Sequence, residues 1–536
     1  MAVSRWTPPI EPTPAEARIL KRVSKKRKLF GFLRSHRHEL FSDGFQEELE
    51  ATYRATGAGK TRIPPARMAM ALLLQAYSDA SDSEAVELAA CDARWQVCLD
   101  CLGEEPPFSQ GALFDFRQRL IEHGLDQRLL ERTVELTRET GIFDWKKVPK
   151  KLRVVLDSSP LRGAGRVEDT VNLLAHAARK LIAHVAEIHG LPNELVVDEM
   201  GIPLLAEPSM KRGLDVDWTL PGAGENALNR LLKQIDAMER WVRKTFADES
   251  RFPPLRDHLE LLEKLREQDL EPDPDTPGRL RIRQGTARDR RISIEDPDMR
   301  HGRKSSTKAF NGYKRHIAAE PTTGIVLAAE LLPANAKESV ALAPLHEAIE
   351  RQHLSVGAYD FDRGYVSSEL LPELQRNGIE LVSKPWTSSN RGLFTKRDFR
   401  FNLRDKTVTC PAGQSQRYEL DRTVRFDDAK CSGCDLRPRC TTRTGGRGRS
   451  MQIHSQEELQ ERFRRMAASK QGRARQRERV PIEHRLAHLS QRQGNRARYL
   501  GRRKNLYDVR RHAAVMNLEV LQRLNDAETE AIDLAA

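Results

Sequence analysis

The stretch LRVVLDSSP (152–160) decides which fold this chain adopts. Four of its first five residues are apolar and two are β-branched, which predicts a buried strand ending at Asp157. Upstream, from about 29 to 145, apolar residues recur at helical spacing, and Ser109 is in position to be an N-cap. The sequence therefore predicts a helical N-terminal domain over 29–145, followed by a sheet.

Downstream of this strand, the sequence predicts one sheet interrupted by a helical insertion. Helical patterns run from about 165 to 270, and the turn-rich EPDPDTPG follows them. Strand and helix signals then alternate, with a hairpin over 312–320 and 324–332, a helix over 339–352, a strand over 355–362, a helix over 367–378 and a strand over 379–385. This order predicts a mixed α/β sheet in a core spanning 150–385.

The composition is typical of a soluble globular protein with a basic surface. The net charge of +13 favours a polyanionic partner such as nucleic acid, because Lys and Arg displace the counterions of phosphates. A merely basic soluble protein is the alternative. No apolar run reaches the ~20 residues that a membrane span requires, and the N-terminus lacks the apolar segment of a secretion signal. We expect a cytoplasmic, nucleoid-associated protein with no membrane partner, a poorly ordered basic N-terminus over 1–28 and a tail over 526–536.

Three carboxylates are candidates for metal-dependent chemistry. Asp157 and Asp362 each end a predicted strand, and Glu483 lies in a basic helical context. The carboxyl ends of strands in open α/β sheets border a crevice, and Mg²⁺ and Mn²⁺ prefer oxygen ligands. Two such ions can promote an in-line phosphoryl displacement. Taken singly each residue is weak evidence, since an Asp at a strand end is more often a turn former.

Several motifs carry a family resemblance. LDSSP, GYKRHIAAEPTTGIVL, DRGY and RERVPIEHRL, in that order, resemble the catalytic domain of bacterial insertion-sequence DDE transposases. The stretch from RIPPARMAMALLLQAYSDA to FDFRQRL is similar to the helical N-terminal domain of these enzymes. GAGRVEDTVNLLAHAARKL, the helical insertion and a late cysteine cluster resemble one subgroup. The resemblance covers about 30 to 525 and implies a ribonuclease-H-like fold with a DDE carboxylate triad.

The resemblance assigns the first two triad residues. The first family Asp, at a strand end before small residues, matches Asp157. The second, in an Asp-x-Gly-Tyr pattern, matches Asp362 rather than Asp360, because Gly364 and Tyr365 set the register. Both residues are thereby implied as ligands of the catalytic Mg²⁺ or Mn²⁺.

The third family residue is a Glu four positions after an Arg on a helix, and it matches Glu483 and Arg479. Glu483 is thereby implied as the last magnesium ligand. Many relatives also have a Tyr three residues before that Arg and a Lys seven residues after the Glu. This chain has Gln476 and Ser490 at those positions, so the phosphate contact of the missing Lys is unassigned.

Arginine saturates the segment 471–512, which surrounds Glu483. Charges of one sign at this density repel each other unless a polyanion meets them, and Arg can bind phosphate through two parallel hydrogen bonds. The segment predicts contact with the DNA backbone, and a solvated helix face is the alternative. The candidate DNA-binding residues are Arg479, Arg485, Arg492, Arg502 and Arg503, and either Arg485 or Arg492 is a candidate to replace the missing Lys.

Four late cysteines form a second candidate metal site, in the segment 386–455. Cys410, Cys431, Cys434 and Cys440 follow the pattern C-x20-C-x2-C-x5-C among turn-forming neighbours. Four thiolates can close a tetrahedral structural zinc site, whereas four free surface thiols are the alternative. The pattern predicts a small zinc-binding insertion.

Residues and resemblance together predict a DNA transposase. It would bind the terminal inverted repeats of an insertion sequence, cut a strand at each end and join the freed 3′-hydroxyl to target DNA, with a homodimer as the active complex. A basic helical region over 456–525 would complete the catalytic core. The alternatives are a nuclease of the same fold that cuts without joining, and a catalytically inactive transposase-derived DNA-binding protein. The presence of all three carboxylates weighs against the second alternative.

Overall fold

Helices build the N-terminal part of the chain. The computed structural model describes residues 5–53, 62–141 and 151–535 apart from 218, 221, 306, 445–446 and 479, and describes only the backbone of 211, 480–483 and 528–535. The helices before the first strand are α1 (Pro14–Val23), α2 (Lys28–Ser35), α3 (Arg37–Leu40), α4 (Asp43–Glu50), α5 (Pro65–Ser78), α6 (Asp82–Cys91), α7 (Ala93–Leu99), α8 (Gln110–Glu122) and α9 (Leu125–Glu139). Ser109 caps α8, as expected, because its side chain accepts from the N–H of Ala112.

The residues from 5 to 28 correct the expectation of a poorly ordered N-terminus. Glu16 of α1 forms a buried ion pair with Arg34 of α2, at 3.1 Å between Oε1 and Nε. Trp6 is buried and packs edge-on against Phe41, with 5.8 Å between the ring centroids. The Pro-rich composition obscured these contacts, because each of them joins residues that are far apart in the sequence.

The first strand, β1 (Leu152–Arg162), is longer than expected, and a helical insertion follows it. The expectation that this strand ends at Asp157 is corrected by residues 158–162, which continue the antiparallel pairing with a later strand. The insertion helices are α10 (Thr170–His189), α11 (Asn193–Met200), α12 (Met210–Leu214), α13 (Ala223–Thr245) and α14 (Leu255–Asp269). These helices bury an apolar cluster largely of their own, so the insertion has a core separate from that of the sheet.

A mixed sheet positions the candidate site. Downstream of the insertion lie β2 (Leu270–Pro272), β3 (Leu280–Ile282), β4 (Arg300–Arg303), β5 (Ala309–Ala319), β6 (Val326–Pro333), α15 (Leu342–Glu350), β7 (Val356–Asp360), α16 (Leu371–Arg376) and β8 (Glu380–Val382). The strand order is β4-β5-β1-β7-β8, and β6 also pairs with β5. β1 is antiparallel to β5 and parallel to β7. The mixed α/β sheet is confirmed, and its topology is consistent with a ribonuclease-H-like fold.

β1 is longer than expected because its neighbour β5 pairs with it further along than its other neighbour, β7. β7 ends at Asp360, which pairs with Val155, so β1 has no β7 partner beyond that level. Pro160 has no N–H to donate and is tolerated there, since proline is confined to unpaired edges of strands. On its other side β1 stays paired with β5 as far as Arg162.

The cysteine-rich segment folds around an apolar cluster of its own. Its elements are β9 (Arg400–Asn402), β10 (Thr407–Thr409), β11 (Ser415–Arg417), β12 (Thr423–Arg425), α17 (Asp428–Ser432), α18 (Arg437–Cys440) and β13 (Ser450–Gln452). β9, β10 and β11 form one small sheet, and β12 pairs with β13. Phe399, Phe401, Phe426 and Ile453 are buried between these elements. The segment therefore has apolar packing that its polar composition did not suggest.

The C-terminal helices close the core against the sheet. They are α19 (Glu457–Ala468), α20 (Lys470–Arg477), α21 (Val480–Gln493) and α22 (Arg502–Ala535), the last of which runs through most of the expected tail. α22 packs against β6, α5 and α9. Buried polar contacts hold it there, with Arg511 donating to Gln75 at 2.7 Å and Asn517 donating to Thr133 at 2.9 Å. Among the described helices, none has the length and apolarity to cross a bilayer.

Candidate active site

Asp157 and Asp362 lie at the same level of two adjacent parallel strands. Val155 of β1 pairs with Asp360 of β7, and each candidate carboxylate follows two residues later. Because parallel neighbours are about 5 Å apart, this register brings both residues to one edge of the sheet. Asp157 is half-buried and Asp362 is exposed. The side chain of Asp157 accepts from the N–H of Ser158 at 2.8 Å.

Buried packing holds the turn that follows Asp362. Residues Arg363–Tyr365 form a single 3-10 turn. The Tyr365 hydroxyl and the Nδ1 atom of His316 on β5 form a buried hydrogen bond of 2.7 Å. Burial lowers the pKa of His316 to about 3, so its ring is neutral at physiological pH and the hydrogen bond joins two uncharged groups. The Tyr of the DRGY motif therefore anchors the turn to the sheet.

Glu338 is a carboxylate that the sequence did not single out. It begins the 3-10 turn Glu338–Ala341, between β6 and α15. Its Oε1 atom accepts a hydrogen bond of 2.8 Å from the Ser158 hydroxyl. Its Oε2 atom lies so close to Gly364 that no Cβ would fit there. No local motif marks this residue, because its partners belong to two other strands.

Asp360, two residues before Asp362, forms buried ion pairs within the protein. Its side chain is fully buried and accepts from Arg153 at 3.0 Å and from Arg475 of α20 at 3.3 Å. Arg153 also pairs with Glu478, at the end of α20. These contacts fasten the chain segment before α21 to the end of β7, which supports Asp362 as the residue available for chemistry.

The helix α21 carries Glu483 and is tied to β1. The described part of Glu483 is its backbone, and Arg479 lies outside the described residues. Ser490, seven residues after Glu483 and therefore near the same helix face, has its hydroxyl 3.3 Å from that of Ser159. Ser159 is two residues after Asp157 on β1. The contact places α21 beside the strand that holds the first candidate carboxylate.

Arg315 of β5 fastens this helix from inside the protein. Its guanidinium is fully buried and donates hydrogen bonds to side-chain and backbone oxygens of Ser159, Pro160, Ser490, Gln493 and Gly494, at 2.8 to 3.1 Å. Burial lowers its pKa to about 10, which leaves it charged at neutral pH. Arg315 joins β1, β5 and α21. It is one of three consecutive basic residues in β5, with no local pattern that marks it as the buried one, and the sequence reasoning missed it.

The donor set at this edge fits a hard divalent cation. Asp157, Asp362 and Glu338 offer carboxylate oxygens, which are the ligands that Mg²⁺ and Mn²⁺ prefer. Within the described residues, no group of three or more His, Cys, Asp or Glu is arranged closely enough to hold a metal ion. Asp157, Asp362 and Glu338 are among the described residues, so these three carboxylates alone do not form such a group; the side chain of Glu483 lies outside the described part of the chain. The fit therefore rests on the chemistry of the carboxylates and on the register of β1 and β7.

Comparison with known families adds independent evidence. A family model described as a transposase DDE domain matches residues 407–522, and a model described as a transposase domain (DUF772) matches residues 19–119. These matches support a bacterial insertion-sequence DDE transposase. Both families indicate DNA transposition in general, and the first indicates a nuclease or transposase activity. No curated protein and no solved structure matches the chain.

The segments that match these family models contain part of the candidate site. Residues 407–522 include Glu483, the four late cysteines and most of the arginine-rich segment. Asp157 and Asp362 lie outside both matches. Their assignment as catalytic residues stays a prediction, which the register of β1 and β7 supports on geometric grounds. DDE transposases generally use divalent metal ions such as Mg²⁺, in agreement with the chemistry of this edge.

Four of the candidate DNA-binding arginines have contacts within the described protein. Arg485 packs against Gly324, and Arg492 pairs with Glu519. Arg502 lies 3.7 Å from Glu330 and keeps 46% of its side-chain surface exposed. Arg503 pairs with the buried carboxylate of Asp126, at the start of α9, as does Arg510. Their role in DNA binding stays a prediction. The side chains of Arg502 and Arg503 are similarly exposed, at 46% and 40%, but Arg502 is less tightly paired and is therefore better placed for it.

The four late cysteines line one small cavity. Cys410, Cys431, Cys434 and Cys440 border about 30 Å³ of space together with Phe394 and Phe426. Burial raises the pKa of the Cys440 thiol, and the proximity of the other three cysteines adds to this effect. Among the described residues, these cysteines are not arranged closely enough to hold a metal ion. The cysteines are brought together, and zinc binding stays a prediction.

Proposed function

We propose that this protein binds the inverted-repeat ends of an insertion sequence, cuts a DNA strand at each end and joins the freed 3′-hydroxyl to target DNA. The observation that carries the proposal is the level placement of Asp157, within β1, and Asp362, just after the end of the parallel strand β7, in a chain with two matches to transposase families. Ribonuclease-H-like geometry of this kind gathers distant carboxylates at one edge, where a phosphodiester backbone can reach them.

The carboxylates would hold the metal ions. Asp157 and Asp362 would share them, and Glu483 would complete the second position. Bound Mg²⁺ or Mn²⁺ ions supply activation of a water or hydroxyl and stabilisation of the leaving oxygen in a phosphoryl displacement. Arg315 and Ser490 would act indirectly. Their hydrogen bonds hold α21, which carries Glu483, beside β1. Orientation of this kind contributes strongly to rate, because a small misplacement of a reacting group is costly.

The arginine-rich segment would hold the DNA backbone near the carboxylates. Arg479 precedes Glu483 by about one helical turn and is the candidate for the scissile phosphate. The phosphates on either side would be held by Arg485, Arg492, Arg502 and Arg503. Such contacts position the duplex without reading its bases, so recognition of the inverted repeats requires other residues of the protein. We place the protein as a homodimer in the active complex, bound to both ends.

A structural zinc ion is the proposed role of the cysteine cluster. The four thiols converge from the turn after β10, from α17 and from α18, which are short elements with few other restraints. Four thiolates would complete a closed tetrahedral site with no open position. The zinc would therefore stabilise the segment and take no part in the phosphoryl transfer.

A strand-transfer assay with pre-cleaved ends tests the proposal. We expect the full-length protein to join labelled 3′-ends to a target plasmid in the presence of Mg²⁺ or Mn²⁺, and Asp157→Asn to abolish joining while binding of the ends persists. Cleavage without joined product would instead identify a nuclease of the same fold. Binding without cleavage under any divalent metal would identify a catalytically inactive DNA-binding protein.

A further inference from the structure

The hairpin of β4 and β5 extends past the edge of the sheet at which the candidate carboxylates lie. β5 is antiparallel to β1, and Asp157 of β1 pairs with Ile317 of β5, so the start of β5 lies beyond the carboxyl end of β1. Pairing of β5 with β6 stops at Tyr313, and pairing with β1 stops at Gly312. From there back to Ala309, β4 is the only described strand that accompanies β5. Ala309 precedes Ile317 by eight residues, which places the end of the hairpin roughly 26 Å past the level of Asp157 along the strand.

The base of this hairpin is fixed to the rest of the sheet. The N–H of Ala334, just after β6, donates to the carbonyl oxygen of Gly312 at 3.0 Å. Gly302 of β4 packs so closely on Ala334 that a Cβ added there would lie 2.5 Å from it. At the other end, the N–H of Lys304 donates to the carbonyl oxygen of Lys308 at 2.9 Å and closes the turn. The hairpin is therefore an ordered arm whose base sets the direction of its tip.

The described residues of the hairpin tip are exposed and basic. Arg303, Lys304 and Lys308 contribute three positive charges, and the sequence has no Asp or Glu from 299 to 319. Within the described part of the chain, neither lysine forms an ion pair. Like charges in one short turn repel each other, whereas phosphate groups attract such an array and release counterions on contact. The tip therefore has the charge and the exposure that a polyanion would meet.

Two arginines continue this positive charge at the base of the hairpin. Arg162, the last residue of β1, pairs with Gly312 and also forms an isolated bridge with Arg496, which follows α21. Both side chains are exposed. The guanidinium of Arg496 donates to the backbone oxygen of Ala164 at 3.1 Å, so this contact leaves its charge without a neutralising carboxylate. Because Arg496 belongs to the arginine-rich segment, the hairpin adjoins the surface to which we assign the DNA backbone.

We propose that the β4–β5 hairpin is an arm that holds the phosphate backbone of the inverted-repeat duplex through Lys304 and Lys308. This inference rests on the proposed function and adds a contact remote from the metal ions. The arm and Asp157 belong to one sheet, so the duplex that is cut at the carboxylates is the one that the arm meets at a fixed distance. At 3.4 Å per base pair, roughly 26 Å corresponds to about 8 base pairs from the scissile phosphate. Contacts of this kind position the duplex and do not read its bases.

Binding of the full-length protein to a duplex that carries the inverted repeat tests the arm. The double variant Lys304→Ala/Lys308→Ala should reduce the slope of log K against log salt by about 1.8, which is two phosphates at about 0.9 each, and lower the affinity at least tenfold at about 0.1 M salt. Phosphate ethylation interference should show wild-type contacts clustered about 8 base pairs to one side of the cleavage position, and the double variant should lose them.

A matched pair of lysines controls for the loss of charge. Lys233→Ala/Lys244→Ala removes two exposed lysines of α13 in the helical insertion and should keep the wild-type slope and affinity. A wild-type slope in the hairpin variant would mean that the tip is a solvated turn, and an equal loss in both double variants would mean that any two lysines act alike. Either result would overturn the arm. If the double variant fails to fold, Lys304→Gln takes its place with an expected change in slope of about 0.9, and no change would count against the proposal.

Two further comparisons assign the DNA and separate this inference from the proposed function. Wild-type binding of the inverted-repeat duplex by the hairpin variant, together with weaker capture of a target plasmid by pre-cleaved ends, would overturn the assignment to the inverted repeat. A wild-type protein that neither prefers the inverted repeat to random DNA nor cuts with any divalent metal would overturn the proposed function. Normal cleavage and an unchanged salt slope in the hairpin variant would overturn the arm alone.

Discussion

The buried guanidinium of Arg315 donates a hydrogen bond of 2.8 Å to the hydroxyl of Ser490. The two residues are 175 positions apart in the chain, and the bond joins β5 to the helix that carries Glu483. Ser490 occupies the position where many of the transposases that the sequence resembles have a lysine. This helix is therefore held from inside the protein by a residue of the sheet.

The first prediction concerns this bond. Arg315→Lys keeps a charge but cannot reproduce a planar set of donors to several oxygens, so unmet buried acceptors should lower the free energy of unfolding by about 2 kcal/mol. Single-turnover cleavage by the folded fraction should also slow, since α21 would shift relative to β1. Arg417→Lys, at an exposed position of β11, is the matched control for both measurements. Unchanged stability and cleavage in Arg315→Lys would contradict the positioning role.

The second prediction contrasts two aspartates that are two residues apart. Asp362→Asn should slow cleavage about a thousandfold, because metal ligation contributes several kcal/mol to the transition state. Asp360→Asn should lower the free energy of unfolding by about 2 kcal/mol through the loss of its buried ion pairs with Arg153 and Arg475. Chemical denaturation and single-turnover cleavage measure the two effects. The opposite pattern would assign the metal to Asp360.

The third prediction concerns pH and the buried pair of His316 and Tyr365. Burial lowers the pKa of His316 to about 3, so below the unfolded-state pKa of about 6.5 the unfolded chain binds a proton that the folded chain does not. The stability due to neutral His316 is thus present above pH 6.5 and is lost as pH falls, by about 2 kcal/mol at pH 5.

Denaturation curves at several pH values check this assignment. His316→Gln should flatten the decline of stability between pH 6.5 and 4. His123→Gln, at an exposed position after α8, should keep the wild-type slope. A wild-type slope in His316→Gln would show that other groups cause the acid sensitivity.

The fourth prediction concerns the cysteine cluster. Purified protein should contain close to one zinc per chain, and Cys434→Ser should lose it and expose residues 405–445 to proteolysis, because structural zinc contributes directly to folding. Cys91→Ser changes an exposed cysteine outside the cluster and should keep the metal. Metal-free protein in which all four thiols of the cluster titrate freely would contradict the proposed zinc site.

The fifth prediction separates two adjacent arginines. Arg502→Ala should weaken binding equally to inverted-repeat and random DNA, and should reduce the slope of log K against log salt by about 0.9 if it meets one phosphate. Arg503→Ala should instead reduce stability, because it leaves the buried Asp126 with Arg510 as its remaining ion-pair partner. Affinity across a salt series and thermal denaturation measure the two outcomes. A wild-type salt slope in Arg502→Ala would mean that this residue belongs to a solvated helix face.

The sequence by itself determined the local elements of this protein and the identity of the candidate site. Alternating apolar residues predicted the hairpin of β5 and β6, and helical spacing predicted α15 and the insertion helices, because these patterns depend on near neighbours in the chain. The DRGY motif distinguished Asp362 from Asp360 by its glycine and tyrosine alone. The structure supports this distinction, since Asp360 is buried in ion pairs.

The tertiary structure decided which distant residues support that site. β1 continues past Asp157 because β5 stays paired with it, and Arg315 reaches α21 across 175 residues of sequence. Glu338 meets Ser158 across 180 residues, and neither residue has a local pattern that announces the contact. Periodicity in a sequence reports which face of an element is buried, but the partner on that face is set by how the strands pair. The carboxylate that Gly364 accommodates is therefore visible only in the folded protein.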